Sequence, residues 1–87
     1  MYYFYILKSK NDSELYFGYT EDLRVRLTQH NSGKVSSTKL KKPFILVYYE
    51  AYTSQSDAKH REHSIKLRGN AYLQLKRRIK NCVAEAE

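Results

Sequence analysis

Three short runs of β-forming residues frame this chain: YYFYILK (2–8), LYFGY (15–19) and FILVYYEAY (44–52). The first two are joined by the turn-rich stretch SKNDS, so they fold back on each other as an antiparallel hairpin with its loop near Lys10–Ser13. The third run is almost continuously apolar and predicts a well-buried strand. With three strands and 87 residues, the chain has room for one domain, residues 1–87, and no second.

Helical signals fill the gaps. Thr20 is positioned as an N-cap, with Glu21 and Asp22 in the first turn, where the helix dipole favours acids. Leu23 and Leu27, spaced i, i+4, supply the buried stripe, and Asn31-Ser32-Gly33 stops the helix. Residues 34–43, with the only proline, form a loop. Ser54 with Asp57 resembles a capping box opening a second helix that runs to about Leu67 and ends at Gly69. Asn70 caps a third helix, about 71–82, with the stripe Tyr72, Leu75, Ile79 and Cys82. The expected order is ββαβαα: an α+β domain (an α/β sandwich) with a small three-stranded antiparallel sheet flanked by three helices. The single Cys82 excludes an internal disulfide and a Cys-rich zinc site. One thiol, no secretory signal and no apolar run of membrane-spanning length make a cytoplasmic protein the expectation.

The charge is lopsided. Sixteen Lys and Arg against nine Asp and Glu give a net +7, which favours polyanionic partners such as nucleic acid. Lys34, Lys39, Lys41 and Lys42 occupy one loop without an acid, and eight Lys or Arg between Lys59 and Lys80 surround a lone acid, Glu62.

Several polar side chains do not fit a plain core. Arg26 and His30 are spaced i, i+4 and flank the Leu23/Leu27 stripe. Read structurally, Arg26 is a snorkelling surface arginine and His30 a cation at a helix C-terminus. Glu62 falls on the same helix face as Ala58 and Ile65, so it faces the core, where a carboxylate must be paired or bind a metal. Arg61, Lys66 and Arg26 are its candidate partners. The period of two allows Tyr5 and Tyr16 to lie near each other on one face of the hairpin, where a simple packed tyrosine pair is the structural alternative, and Gly18 within the second strand signals a close approach to the backbone.

With these residues in place, the segments YFYIL (3–7), LYFGYTEDLRVRLTQHNSG (15–33) and LVYYEAYTSQSDAKHREHSIKL (46–67) resemble the GIY-YIG nuclease superfamily, and within it the small single-domain bacterial type. YFY (3–5) stands where the family has GIY, and YFG (16–18) where it has YIG; the chain departs at Tyr3, where the name motif has glycine. The resemblance implies a site of Tyr5, Tyr16, Arg26, His30 and Glu62, with Glu62 the ligand of a single Mg²⁺ or Mn²⁺ and no small-molecule cofactor. Asn70 is a candidate for an asparagine that some members carry after the glutamate.

The implied activity is metal-dependent endonucleolytic hydrolysis of nucleic-acid phosphodiesters, with DNA the expected polymer and little sequence specificity. Arg26 would offer donors to the phosphate oxygens, and Glu62 one hard oxygen ligand. Tyr5 or Tyr16, or else His30, would take the proton from water. Lys34, Lys39, Lys41 and Lys42 would hold the substrate backbone by charge. The competing reading is a nucleic-acid-binding module of the same fold with weak catalysis or none.

Overall fold

The computed structural model describes residues 1–86. Strands β1 (Tyr2–Ser9), β2 (Leu15–Thr20) and β3 (Phe44–Tyr52) form one antiparallel sheet in the order β2-β1-β3. The β1–β2 hairpin pairs Tyr5 with Gly18 and Leu7 with Tyr16. The β1–β3 ladder shifts register between Ile6 and Leu7, whose partners are Tyr48 and Leu46, so Val47 is the extra residue of a bulge.

Alternation along β1 divides the core in two. Phe4 and Ile6 point to one face and pack with Ile65, Leu75 and Ile79. Tyr5 and Leu7 point to the other and pack with Phe44, Tyr16, Leu23 and Leu27. Helix α1 (Leu23–Asn31) therefore covers one face of the sheet, and helices α2 (Gln55–Lys66) and α3 (Asn70–Arg78) cover the other. This is the expected α+β sandwich in the order ββαβαα.

Some local expectations need correction. The buried strand is β1, in which Phe4, Tyr5, Ile6 and Leu7 are all buried; β3 is half-exposed, with Tyr49 51% accessible. An apolar run registers covered faces but not position in the sheet, and β3 lies at an edge. The N-cap of α1 is Asp22, not Thr20: its carboxylate accepts from Val25 N–H at 3.1 Å, while Thr20 Oγ1 accepts from Asp22 N–H. Gly69, not Asn70, occupies the N-cap position of α3. The third helix breaks at Ile79 and continues as α4 (Lys80–Glu85). Across this break Val83 takes the inward place expected of Cys82, which is exposed. The loop after α1 contains a single 3-10 turn, Lys39–Lys41.

The predicted start of α2 and its end near Leu67 stand, but Arg68, at φ +58°, and not Gly69 is the left-handed residue that ends it. Ser54 Oγ accepts from Asp57 N–H, and Leu67 is the C-cap. The helix is fastened to β3 by a feature the sequence did not announce. Arg61 donates two hydrogen bonds to Glu50, at 2.9 and 3.1 Å, and Tyr48 and Tyr52 donate to the same carboxylate. Burial raises the Glu50 pKa, but these four donors outweigh it and leave the group below its ordinary range; both tyrosines are pushed up to about 12, by burial first and by Glu50 second. No helix among the described residues is long and apolar enough to cross a membrane.

Candidate active site

The main cleft has a volume of about 590 Å³ and runs along edge strand β2, with α1 on one side and α2 on the other. Tyr5, Tyr16, Arg26, His30 and Glu62 all line it. They come from four elements: β1, β2, α1 and α2.

The buried Tyr5 contributes its hydroxyl to the lining. The hydroxyl lies 2.9 Å from His30 Nε2, and Arg26 Nε–H donates to it at 3.3 Å. Gly18 explains how the phenol gets there. A Cβ on Gly18 would stand 2.3 Å from both Cζ and Oη of Tyr5, so the ring lies directly on the β2 backbone. The close approach that a strand glycine signals is made by the protein's own tyrosine.

His30 is buried, and its Nδ1 lies 2.8 Å from Thr38 Oγ1. Thr38 is itself buried and its hydroxyl donates to the Val35 carbonyl at 3.4 Å. One assignment of protons satisfies every contact: Arg26 donates to Tyr5, Tyr5 to His30 Nε2, His30 Nδ1–H to Thr38, and Thr38 to Val35. Burial, and then the charge of Arg26, push the His30 pKa below its ordinary value of 6.5, so the imidazole is neutral at pH 7 and accepts at Nε2. Burial raises the Tyr5 pKa above 10.0 despite the opposing hydrogen bond and charge of Arg26, so the phenol rests protonated.

Local folding fixes this end of α1. Asn31 accepts from Phe44 N–H at 2.6 Å and donates to Phe44 O at 3.2 Å, tying the helix end to the start of β3. Phe44 packs edge-on against both His30 and Tyr16. Gly33, at φ +79°, turns the chain away in the left-handed region.

Tyr16 is placed differently from Tyr5. Its hydroxyl donates to Asp12 at 3.2 Å, and Asp12 also pairs with Lys41 at 3.1 Å. Burial, and then Asp12, raise its pKa. Arg26 Nη1 donates to Gln29 at 3.1 Å, and no carboxylate pairs with the Arg26 guanidinium among the described residues.

Glu62 reaches the cleft from α2 and pairs with Lys66 at 3.1 Å, one of the three partners the sequence allowed; Arg61 is committed to Glu50. Its side chain is 24% exposed. No group of three or more His, Cys, Asp or Glu that could cage a metal exists among the described residues. The donor set therefore fits a hard cation held by one carboxylate, with phosphate oxygens and water completing its shell, and does not fit zinc.

Lys34, Lys39, Lys41 and Lys42 are exposed on the loop after α1 but are not in the cleft lining. The same loop does supply Val35, Ser37 and Thr38 to the wall. Sequence reasoning missed Thr38 as the His30 partner. In a polar loop nothing periodic distinguishes one Ser or Thr from its neighbours. Lys66 and Arg68, on the α2 side, were also missed as lining residues.

Residues 1–80 match the family model described as the GIY-YIG catalytic domain. UPF0213 proteins from Staphylococcus haemolyticus and Staphylococcus epidermidis are each 46% identical over 66 residues, covering 75% of this chain and 79% of the relative. A UPF0213 protein from Bacillus pumilus is 42% identical over 66 residues, covering 75% of this chain and 66% of the relative. No solved structure matches. A match across nearly the whole chain, with relatives this similar, means that the protein belongs to the GIY-YIG family, as a small member of the UPF0213 type.

Proposed function

We propose that this protein is a metal-dependent endonuclease that hydrolyses nucleic-acid phosphodiesters, with DNA as its polymer and little sequence preference. One observation carries the reading. The Tyr5 hydroxyl is held between a guanidinium and a neutral imidazole, in the same cleft as the carboxylate of Glu62.

The residues divide the work as follows. Arg26 binds the scissile phosphate through its remaining N–H donors and stabilises the charge that builds on the oxygens. Water adds to phosphorus and gives its proton to the Tyr5 oxygen, while Tyr5 passes its own proton to His30 Nε2; the P–O ester bond then breaks, the leaving oxygen departs with the bonding pair and takes a proton from solvent, and His30 returns its proton to solvent. A phenol with a raised pKa is a poor base by itself, so the base is the Tyr5–His30 pair. Thr38 holds His30 in the tautomer that can accept. The burial that keeps His30 neutral also makes its imidazolium ready to give the proton back. Glu62 is the residue that would hold Mg²⁺ or Mn²⁺, and the ion would act as a Lewis acid toward the phosphate and the leaving oxygen. Tyr16, whose hydroxyl is engaged by Asp12, lines the cleft as a wall and not as the base. The exposed lysines 34, 39, 41 and 42 extend the positive field beyond the cleft and contact the backbone without reading bases.

The ion pair between Lys66 and Glu62 favours a second reading, a nucleic-acid-binding module, because it already neutralises the carboxylate a metal would need. Incubation with supercoiled plasmid decides between the two. The nuclease reading expects nicked and linear products with Mg²⁺ or Mn²⁺ and none with EDTA. A retarded but uncut plasmid under all three conditions supports the binding module.

A further inference from the structure

The end of α2 carries an unusual backbone. Leu67 is the C-cap, and the next residue, Arg68, lies in the left-handed region at φ +58° with its N–H donating to the Ile65 carbonyl at 3.0 Å. Helix ends of this geometry normally place glycine at that position. A glycine is available one residue later, but Gly69 has φ −91° and does not use its freedom there. The chain thus places a long cationic side chain where a Cβ is disfavoured.

The side chain is equally constrained. The Arg68 guanidinium lies 5.5 Å from the ring centre of Phe17 and 4.9 Å from that of Tyr72, and Nη1 donates to the Tyr72 hydroxyl at 3.0 Å. The two rings and the hydrogen bond restrain the guanidinium without neutralising its charge. No carboxylate pairs with it among the described residues, because Glu62 is taken by Lys66. Arg68 is exposed and lines the cleft on the α2 side, with Arg26 contributing from α1 on the other.

We propose that Arg68 is a phosphate-binding residue that holds a non-scissile phosphate of the nucleic acid at the α2 side of the cleft. The proposal rests on the reading that the cleft takes nucleic acid. A planar guanidinium pre-oriented on aromatic rings loses little freedom when it binds a phosphate in a forked geometry. A bound phosphate on each side of the cleft would fix the course of the strand across Tyr5.

The test uses Arg68→Gly, which removes the guanidinium while relieving the left-handed backbone. Binding to a short fluorescein-labelled DNA duplex is followed by anisotropy in EDTA over a salt series. The expected result is a plot of log affinity against log salt that is shallower than wild type by about 0.9, the loss of one phosphate contact. Arg68→Lys should recover most of that slope. Arg68→Asn, which also tolerates the left-handed region, should repeat the Arg68→Gly result, so that a stability loss peculiar to glycine does not decide it. Under Mg²⁺ or Mn²⁺, Arg68→Gly should raise KM and hold kcat. Wild-type affinity and slope in both Arg68→Gly and Arg68→Asn would overturn the proposal. A wild-type protein that binds duplex and cuts nothing would overturn the nuclease reading while leaving the Arg68 slope readable.

Discussion

Gly18→Ala is the most demanding perturbation this arrangement offers. The new methyl would stand 2.3 Å from Tyr5 Cζ and Oη and 2.8 Å from Cε2. Reaching an ordinary contact of 3.4 Å from 2.3 Å requires the ring to move about 1.1 Å. The ring has little room to do so, because Tyr5 is only 3% exposed and is held by His30 and Arg26. Overpacking a closed site costs about 2–3 kcal/mol, from which the ~0.5–1 kcal/mol that Ala gains over Gly in a strand is subtracted. The net loss of about 2 kcal/mol lowers Tm by roughly 8–16 °C in a domain this small. A displacement of that size would take the 2.9 Å contact between Tyr5 and His30 out of hydrogen-bond geometry. A misplacement of about 1 Å at a reacting group can cost on the order of 100-fold in rate. Thermal melts and plasmid cleavage read the two effects separately. In a Tyr5→Leu background, which removes the ring, the stability cost of Gly18→Ala should largely vanish. A Gly18→Ala protein with wild-type Tm and wild-type cleavage would refute the claim that the tyrosine is braced on the strand backbone.

Other expectations concern stability and pH. Glu50→Gln should destabilise the fold by about 2 kcal/mol, because it leaves Arg61 partly buried without its charge partner and weakens two tyrosine hydrogen bonds; denaturant titration measures it, with cleavage by the remaining folded protein unchanged. His30 has a lowered folded pKa, so its contribution to stability is present above its unfolded value of 6.5 and is lost as pH falls through the lower folded value. Cleavage should fall over the same acid window as Nε2 becomes protonated. His30→Gln should abolish cleavage, because the proton acceptor is gone, and should remove that part of the stability profile; an unchanged acid limb of the stability curve would show that His30 is not the titrating group.

The candidate site and the sheet were legible in different ways. Spacing put Arg26 and His30 on one helix flank and Glu62 on an apolar face, but each kept a structural reading, and the family resemblance singled them out for the cleft that they line. Tyr5 was legible through strand alternation, and Gly18 marked where its ring lies. Strand order is a different kind of information. The apolar runs of β1 and β3 read alike, and only the pairing of β1 with both neighbours makes it the central strand. Long-range partners were equally silent. The Glu50–Arg61 pair joins a strand to a helix eleven residues on, and neither residue breaks a local pattern. Thr38 acquires its role only because the loop after α1 folds back over His30. At the helix starts, Asp22 and Gly69 displaced the expected Thr20 and Asn70, each within two residues of the predicted position.

Glu62 is proposed to serve metal-dependent chemistry and not only its ion pair with Lys66. Glu62→Gln tests this most directly, since it keeps the size of the side chain and removes the charge that would hold a cation. Plasmid cleavage in Mg²⁺ and Mn²⁺ should be abolished, while binding to DNA in EDTA is retained or slightly tightened, because a negative charge beside the phosphate is gone. Wild-type rates of metal-dependent cleavage by Glu62→Gln would rule out Glu62 as the residue that holds the metal, and no cleavage by the wild-type protein would leave the binding module as the better description of this cleft.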